Sequence, residues 1–118
     1  MQAEQDPRVK EAKLIFQTYQ TALFQLKTDY ESDACRESAL ELGTHYCELS
    51  RGLVIVDGMP SYDKAKVIKE VDDTREDGRK WARRPFKDRL ANLTEVYKSG
   101  IINGEQYKAE RFKILNES

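Results

Sequence analysis

Apolar side chains recur at alternating steps of three and four residues along most of this 118-residue chain. The longest such series runs from Val9 to Tyr30 and includes Phe16, Tyr19 and Leu23. Because an α-helix makes one turn in about 3.6 residues, these side chains fall on one side of a helix. The spacing predicts a first helix of about 24 residues that contacts more than one neighbouring helix.

A second series with the same spacing runs from Cys35 to Leu53. It follows the polar residues 31–33, whose side chains can cap a new helix. Because the connection is short, we expect the two helices to fold back on each other as an antiparallel hairpin. The small residues Ala39 and Gly43 would allow the helices to approach closely.

A third helix is predicted from the apolar positions between Val67 and Trp81, with Ser61 or Asp63 as its cap. No large apolar side chain occurs between residues 72 and 80. We therefore expect the second half of this helix to project into solvent or to rest lightly on the hairpin.

Two shorter helices are predicted at the C-terminal end. Pro85 disfavours a continuous helix, so we expect a break or a sharp kink before a helix that starts at Phe86 and stops at Gly100. Asn103 is followed three positions later by Gln106, which is the pattern of a capping box and starts the last helix. We expect these two helices to form a small helix-turn-helix hairpin.

Together these patterns predict an all-α protein: a long antiparallel helical hairpin, a third helix across it and a small C-terminal hairpin. We expect residues 1–85 to form the long hairpin and the third helix, and residues 86–118 to form the C-terminal hairpin. The C-terminal hairpin either packs with the rest as one globular unit or extends from it as an arm. Residues 53–56 are β-prone but have no strand partner elsewhere in the chain. We expect them to form a buried connector, with a strand added to another protein's sheet edge as the alternative.

Residues 93–115 read LTEVYKSGIINGEQYKAERFKIL. In type and spacing they resemble the SHOCT (short C-terminal) module, which is found at the ends of many bacterial proteins. Asn103 stands where Thr is usual and Gly104 where an acid is usual, and neither change removes the cap. The resemblance implies a hairpin that brings other domains together and is not catalytic, and it does not extend to residues 1–85. The matching positions are Leu93, Val96, Gly100, Ile101, Ile102, Asn103, Glu105, Tyr107, Arg111, Ile114 and Leu115.

The apolar positions are more numerous than a monomer of this size can readily cover. We therefore predict a non-catalytic association module, which either forms a homo-oligomer or acts as an adaptor that binds a larger protein. The alternative is that the C-terminal hairpin folds back onto the chain's own helices. The predicted interaction residues are Phe16, Tyr19, Leu23, Trp81, Phe86, Tyr107, Phe112 and Leu115.

Residues 79–89 form a basic segment that contains two aromatic residues, Trp81 and Phe86, and this composition suggests a second kind of partner. Cations can neutralise phosphates while Trp81 stacks on bases, so nucleic-acid binding is the alternative function. Acidic residues precede the segment, and Glu76 can pair with Arg79 or Lys80 one helical turn away. A solvated and partly self-paired helix is therefore the preferred interpretation. The basic residues are Arg79, Lys80, Arg83, Arg84, Lys87 and Arg89.

Composition argues against several other classes. The net charge is -1, and Cys35 and Cys47 are too few for a disulfide framework, so a reducing cytoplasm is expected. No run of about 18 apolar residues and no secretory leader pattern occurs, so we expect no membrane association. Glu41, His45 and Glu48 share a helical face, but a single histidine argues against a metal centre. We expect no metal, no cofactor and no enzymatic activity.

Overall fold

A computed structural model describes the backbone of residues 7–50 and 62–117 and the side chains of residues 9–50 and 62–116. This described part is all-α, as predicted, and contains no strand. The apolar run at residues 53–56 lies outside the described residues. The helices are α1 (Pro7–Thr28), α2 (Asp33–Ser50), α3 (Lys64–Trp81), α4 (Phe86–Lys98) and α5 (Gly104–Glu117).

Helices α1 and α2 form the predicted antiparallel hairpin. Ser32 lies just before α2, and its Oγ accepts a hydrogen bond of 3.1 Å from the backbone N–H of Cys35. This bond satisfies a backbone donor that the first turn of a helix would otherwise leave free. Helix α3 packs against both members of the hairpin and completes a first core cluster. Its buried members are Tyr19, Ala22, Leu26, Ala39, Cys47, Val67 and Val71.

The second half of α3 is in close contact with the hairpin, so the expectation that it projects or rests lightly is wrong. Gly78 is buried, and a Cβ added there would lie 2.5 Å from the backbone oxygen of Lys27. One turn earlier, the Nε of Arg75 donates a hydrogen bond of 2.6 Å to the backbone oxygen of Tyr30. The apolar pattern could not predict this contact because a glycine and an arginine make it.

The chain breaks between α3 and α4, as the proline predicts. Helix α3 ends at Trp81, and the backbone N–H of Arg84 donates to the Trp81 carbonyl at 3.1 Å. Pro85 occupies the position before α4 with an extended ψ of 147°. Because proline has no N–H and an extended backbone cannot continue a helix, α3 and α4 are separate helices.

Helices α4 and α5 form the predicted small hairpin. Gly100 has a φ of +84°, a conformation that glycine adopts without strain, and α4 ends just before it. The Asn103 Oδ1 accepts from the Gln106 N–H at 2.8 Å, and the Gln106 Oε1 accepts from the Asn103 N–H at 2.9 Å. These two bonds confirm the capping box.

The terminal hairpin folds back onto α1 through a second core cluster. Gln17 Nε2 donates to the Gly100 carbonyl at 3.2 Å, and Thr21 Oγ1 donates to the Ile101 carbonyl. These bonds dock the turn between α4 and α5 on α1. The buried members of the second cluster are Phe24, Trp81, Leu93, Ile102 and Ile114.

Candidate interaction site

Tyr19 and Trp81, two of the predicted interaction residues, lie in the core. Tyr19 is fully buried in the first cluster, and Trp81 is 3% exposed in the second. The prediction that they form an interaction surface is therefore wrong. Their rings are covered because α3 and the terminal hairpin both pack on α1, which a periodic pattern in one helix does not reveal.

Phe16, Leu23 and Tyr107 are partly buried. The ring of Phe16 lies 5.0 Å from the ring of Tyr46 and 5.9 Å from the ring of Tyr62, measured between centroids. Leu23 packs against the first cluster and Tyr107 against the second. These three residues contribute to the edges of the core and leave part of their side chains accessible.

Phe86, Phe112 and Leu115 are exposed on the terminal hairpin. Their exposed fractions are 44%, 67% and 39%. Phe112 and Leu115 are three residues apart on α5, so they are neighbours on one face of the helix, while Ile114 is buried on another. Sequence analysis did not single out three further exposed apolar side chains, which are Leu14, Ile68 and Tyr97.

The basic segment is divided between surface and core. Arg79 is partly self-paired as predicted, because its Nε lies 3.4 Å from an oxygen of Glu76 and its guanidinium lies over the ring of Tyr30. Arg89 is buried, with its guanidinium 5.5 Å from the centre of the Trp81 ring. Arg89 therefore does not belong to an exposed basic patch, and the buried Trp81 is not available to stack on bases. The exposed cations of the segment are Arg79, Lys80, Arg83, Arg84 and Lys87.

Two tyrosines converge on one carboxylate oxygen. The hydroxyl of Tyr19 donates to Oε1 of Glu70 at 2.8 Å, and the hydroxyl of Tyr62 donates to the same atom at 2.7 Å. Burial raises the pKa of both phenols, and the hydrogen bond to Glu70 raises each pKa further. Sequence analysis missed this cluster because Tyr19 and Glu70 are 51 positions apart.

A groove of about 280 Å³ lies between α1 and α3, beside this cluster. Residues at helical spacing on α1 form one side, and Glu70, Thr74 and Asp77 of α3 form the other. Val96 and Ile101 of the terminal hairpin form a third wall. The remaining lining residues are Phe16, Tyr19, Gln20, Leu23, Phe24, Lys27 and Tyr62.

Lys27 is the cationic side chain in the lining of this groove. Its Nζ donates to Oδ1 of Asn92 at 3.4 Å and lies 6.0 Å from the centre of the Trp81 ring. Burial lowers the pKa of Lys27, the nearby Arg84 lowers it further, and Asp77 opposes the shift. Lys27 is thus directed toward α4, at one end of the groove.

Within the described ranges, no group of three or more His, Cys, Asp and Glu side chains could hold a metal ion. His45 is exposed on α2, Cys47 is buried, Cys35 is partly buried, and both cysteines are free. Of the helices described, none is long and apolar enough to cross a membrane.

No family model, curated protein or solved structure matches this chain. The resemblance of residues 93–115 to the SHOCT module therefore stays a prediction. The described part of the chain is an all-α protein with two core clusters and a terminal hairpin that carries exposed apolar side chains.

Proposed function

We propose that this chain is a non-catalytic helical association module whose terminal hairpin binds another protein surface. That surface belongs either to a second copy or to a larger protein for which this chain is an adaptor. The observation that supports the proposal most directly is the 67% exposure of Phe112 on a helix that already buries Ile114 on another side. Helix α5 thus has one apolar position in the core and another in solvent.

The exposed apolar side chains of the terminal hairpin can contribute favourable free energy to association. Burying one large apolar side chain contributes about 1.5–3 kcal/mol. Scattered exposed apolar residues are common on protein surfaces, but Phe86, Phe112 and Leu115 occur on the same small hairpin. Covering the three together would give several kcal/mol, which has to exceed the entropy lost when two molecules associate.

Charge around Phe86 favours an acidic partner surface. Arg83, Arg84 and Lys87 are all exposed and flank this ring in the sequence. Complementary charge orients a partner and speeds encounter more than it increases affinity. A second copy offers one acidic face on α2, formed by residues at helical spacing. Its exposed acids are Glu37, Glu41 and Glu48.

Sedimentation velocity over a range of protein concentrations tests self-association. We expect concentration-dependent dimers or larger species for the natural sequence, and a shift toward monomer for Phe112→Asp and Leu115→Asp. Leu14→Asp is the matched control, because it also places an acid at an exposed apolar position but lies on α1. Equal loss of association in the control would show that the terminal hairpin is not the surface used.

Affinity purification from the native host tests the adaptor form of the proposal. A protein captured by the natural chain and lost with Phe112→Asp supports it. The purification is run with and without nuclease, so that capture through nucleic acid, the alternative function, is recognised. The proposal fails if the chain is strictly monomeric at about 100 µM, where even weak specific contacts are populated, and captures no protein.

A further inference from the structure

The groove between α1 and α3 has a mostly apolar wall, and its lining contains more negatively than positively charged side chains. Aromatic and aliphatic side chains from α1 and the terminal hairpin form most of its wall. Its lining residues include two carboxylates, Glu70 and Asp77, but one ammonium group, that of Lys27. With these groups ionised, the lining carries a net charge of -1.

Among the described residues, no ion pair within 4 Å is formed by either carboxylate, and the hydrogen bonds to Glu70 come from neutral groups. The two phenols that donate to Glu70 are neutral, and their raised pKa values keep them neutral at physiological pH. Asp77 interacts electrostatically with Lys27, but that ammonium donates to Asn92 and lies over the Trp81 ring. The groove therefore retains negative charge along its α3 side.

We propose that this groove binds a small organic cation with an apolar body, such as a primary amine on an aryl or alkyl chain. The ammonium would lie along the α3 side between Glu70 and Asp77, where Thr74 supplies a hydroxyl oxygen. The apolar body would contact Phe16, Leu23 and their neighbours.

The size and composition of the groove agree with this ligand class. Small-molecule sites are mostly apolar concavities with a few polar groups, and their usual volumes start at roughly 300 Å³. The groove is close to that lower limit, which favours a small ligand.

The charges discriminate against other ligands with the same body. An anion would meet Glu70 and Asp77, while Lys27 is engaged at the end of the groove. A neutral alcohol would keep the apolar contacts and lose the attraction to the carboxylates. Affinity should therefore be highest for the amine, lower for the alcohol and lowest for the carboxylate.

Isothermal titration with three probes of equal ring size tests this order: 2-phenylethylamine, 2-phenylethanol and 3-phenylpropanoate. Trp81 is the single tryptophan of the chain, and its ring lies 6.4 Å from that of the groove residue Phe24, so its fluorescence provides a second readout. We expect the amine to bind most tightly and to change this fluorescence. Absence of amine binding at millimolar concentration, or equal binding of the three probes, would overturn the proposal.

Variants on α3 identify the groups that bind the ammonium. Asp77→Asn and Glu70→Gln each remove one charge with little change in shape, and the new amide can still accept hydrogen bonds. We expect each to weaken amine binding about tenfold, which corresponds to about 1.4 kcal/mol for a lost charge-assisted contact.

Asp73→Asn is the matched control because it removes the same charge from the same helix. Asp73 is exposed and pairs with Lys69 at 2.8 Å, and it does not line the groove. Binding should be unchanged in this variant and also in Phe112→Asp. If Asp73→Asn weakens binding as much as Asp77→Asn, the effect is a general one of net charge and the site is wrong. Thermal unfolding of every variant establishes that the fold is retained.

Discussion

Gly43 of α2 and Val67 of α3 pack so closely that no side-chain carbon fits at residue 43. A Cβ added there would lie 2.5 Å from Cγ1 of Val67 and 2.9 Å from a ring carbon of Tyr19. The contact lies within the first core cluster, where all three helices of the larger part of the molecule meet.

Gly43→Ala should therefore destabilise the protein, although alanine favours a helix. We expect overpacking to lower the free energy of unfolding by about 2–3 kcal/mol and the better helix propensity of alanine to raise it by about 1 kcal/mol, which leaves a net loss of about 1–2 kcal/mol. Urea denaturation measures the net change. Gly104→Ala is the control, because a Cβ there meets only the Tyr97 hydroxyl at 3.7 Å, an ordinary contact. A variant at residue 43 as stable as the natural chain would contradict the close packing.

The hydrogen bond between Tyr62 and Glu70 should appear as a coupling energy. Tyr62→Phe removes the donor, Glu70→Ala removes the acceptor, and the double variant removes both. We expect the two changes to be non-additive by about 1 kcal/mol, the usual net contribution of such a bond. Tyr97→Phe, at a side chain that is 42% exposed, should change stability by less than about 0.5 kcal/mol. Strict additivity would mean that the bond does not stabilise the fold.

Stability should decrease above about pH 10 because the phenols of Tyr19 and Tyr62 then begin to lose their protons in the unfolded chain. Burial and Glu70 raise the pKa of Tyr19 and Tyr62 in the folded protein above their ordinary value of 10.0. A raised pKa stabilises the protonated form, so this contribution is complete below pH 10 and is lost as the pH rises toward the folded-state pKa.

Unfolding experiments at a series of alkaline pH values measure this effect. Tyr62→Phe removes one of the phenols whose pKa is raised in the folded protein, while Tyr19 and Tyr46 remain in both proteins. We expect the stability difference between the natural chain and Tyr62→Phe to narrow as the pH rises above 10. A difference that is constant across this range would refute the contribution of the Tyr62 hydroxyl.

Arg75 connects α3 to the end of α1 and the start of α2. Its Nε donates to the Tyr30 carbonyl, and its Nη2 lies 3.0 Å from an oxygen of Asp33. Arg75→Ala should cost about 1–2 kcal/mol, and Arg75→Lys should recover only part of this because an ammonium lacks the forked geometry.

The pair of Lys69 and Asp73 provides the comparison for Arg75. Both side chains are exposed, so Lys69→Ala should change the free energy of unfolding by less than about 1 kcal/mol. Chemical denaturation of the three variants side by side gives the ranking. Equal effects at residues 69 and 75 would show that the carbonyl contact contributes nothing beyond a surface ion pair.

Helix boundaries in this protein follow from local chemistry, which explains why they were predictable. Pro85 lacks the backbone N–H that the interior of a helix requires, and Asn103 and Gln106 satisfy each other's backbone groups within one turn. Gly100 follows the end of α4 with a positive φ, which glycine adopts without strain because it has no side chain. None of these features requires a distant part of the chain.

The candidate sites depend on which helices meet, and that is a property of the assembled molecule. The amphipathic pattern placed Tyr19 and Trp81 on apolar faces, but only the packing of α3 and the terminal hairpin on α1 decided that these rings are buried. The same packing encloses Arg89 and brings Glu70 to Tyr19 from 51 positions away. The sequence by itself determined the helices and their apolar sides, because those depend on neighbours within one or two turns. Which sides are covered and where a groove remains was decided by contacts between distant segments, whose geometry no local spacing contains.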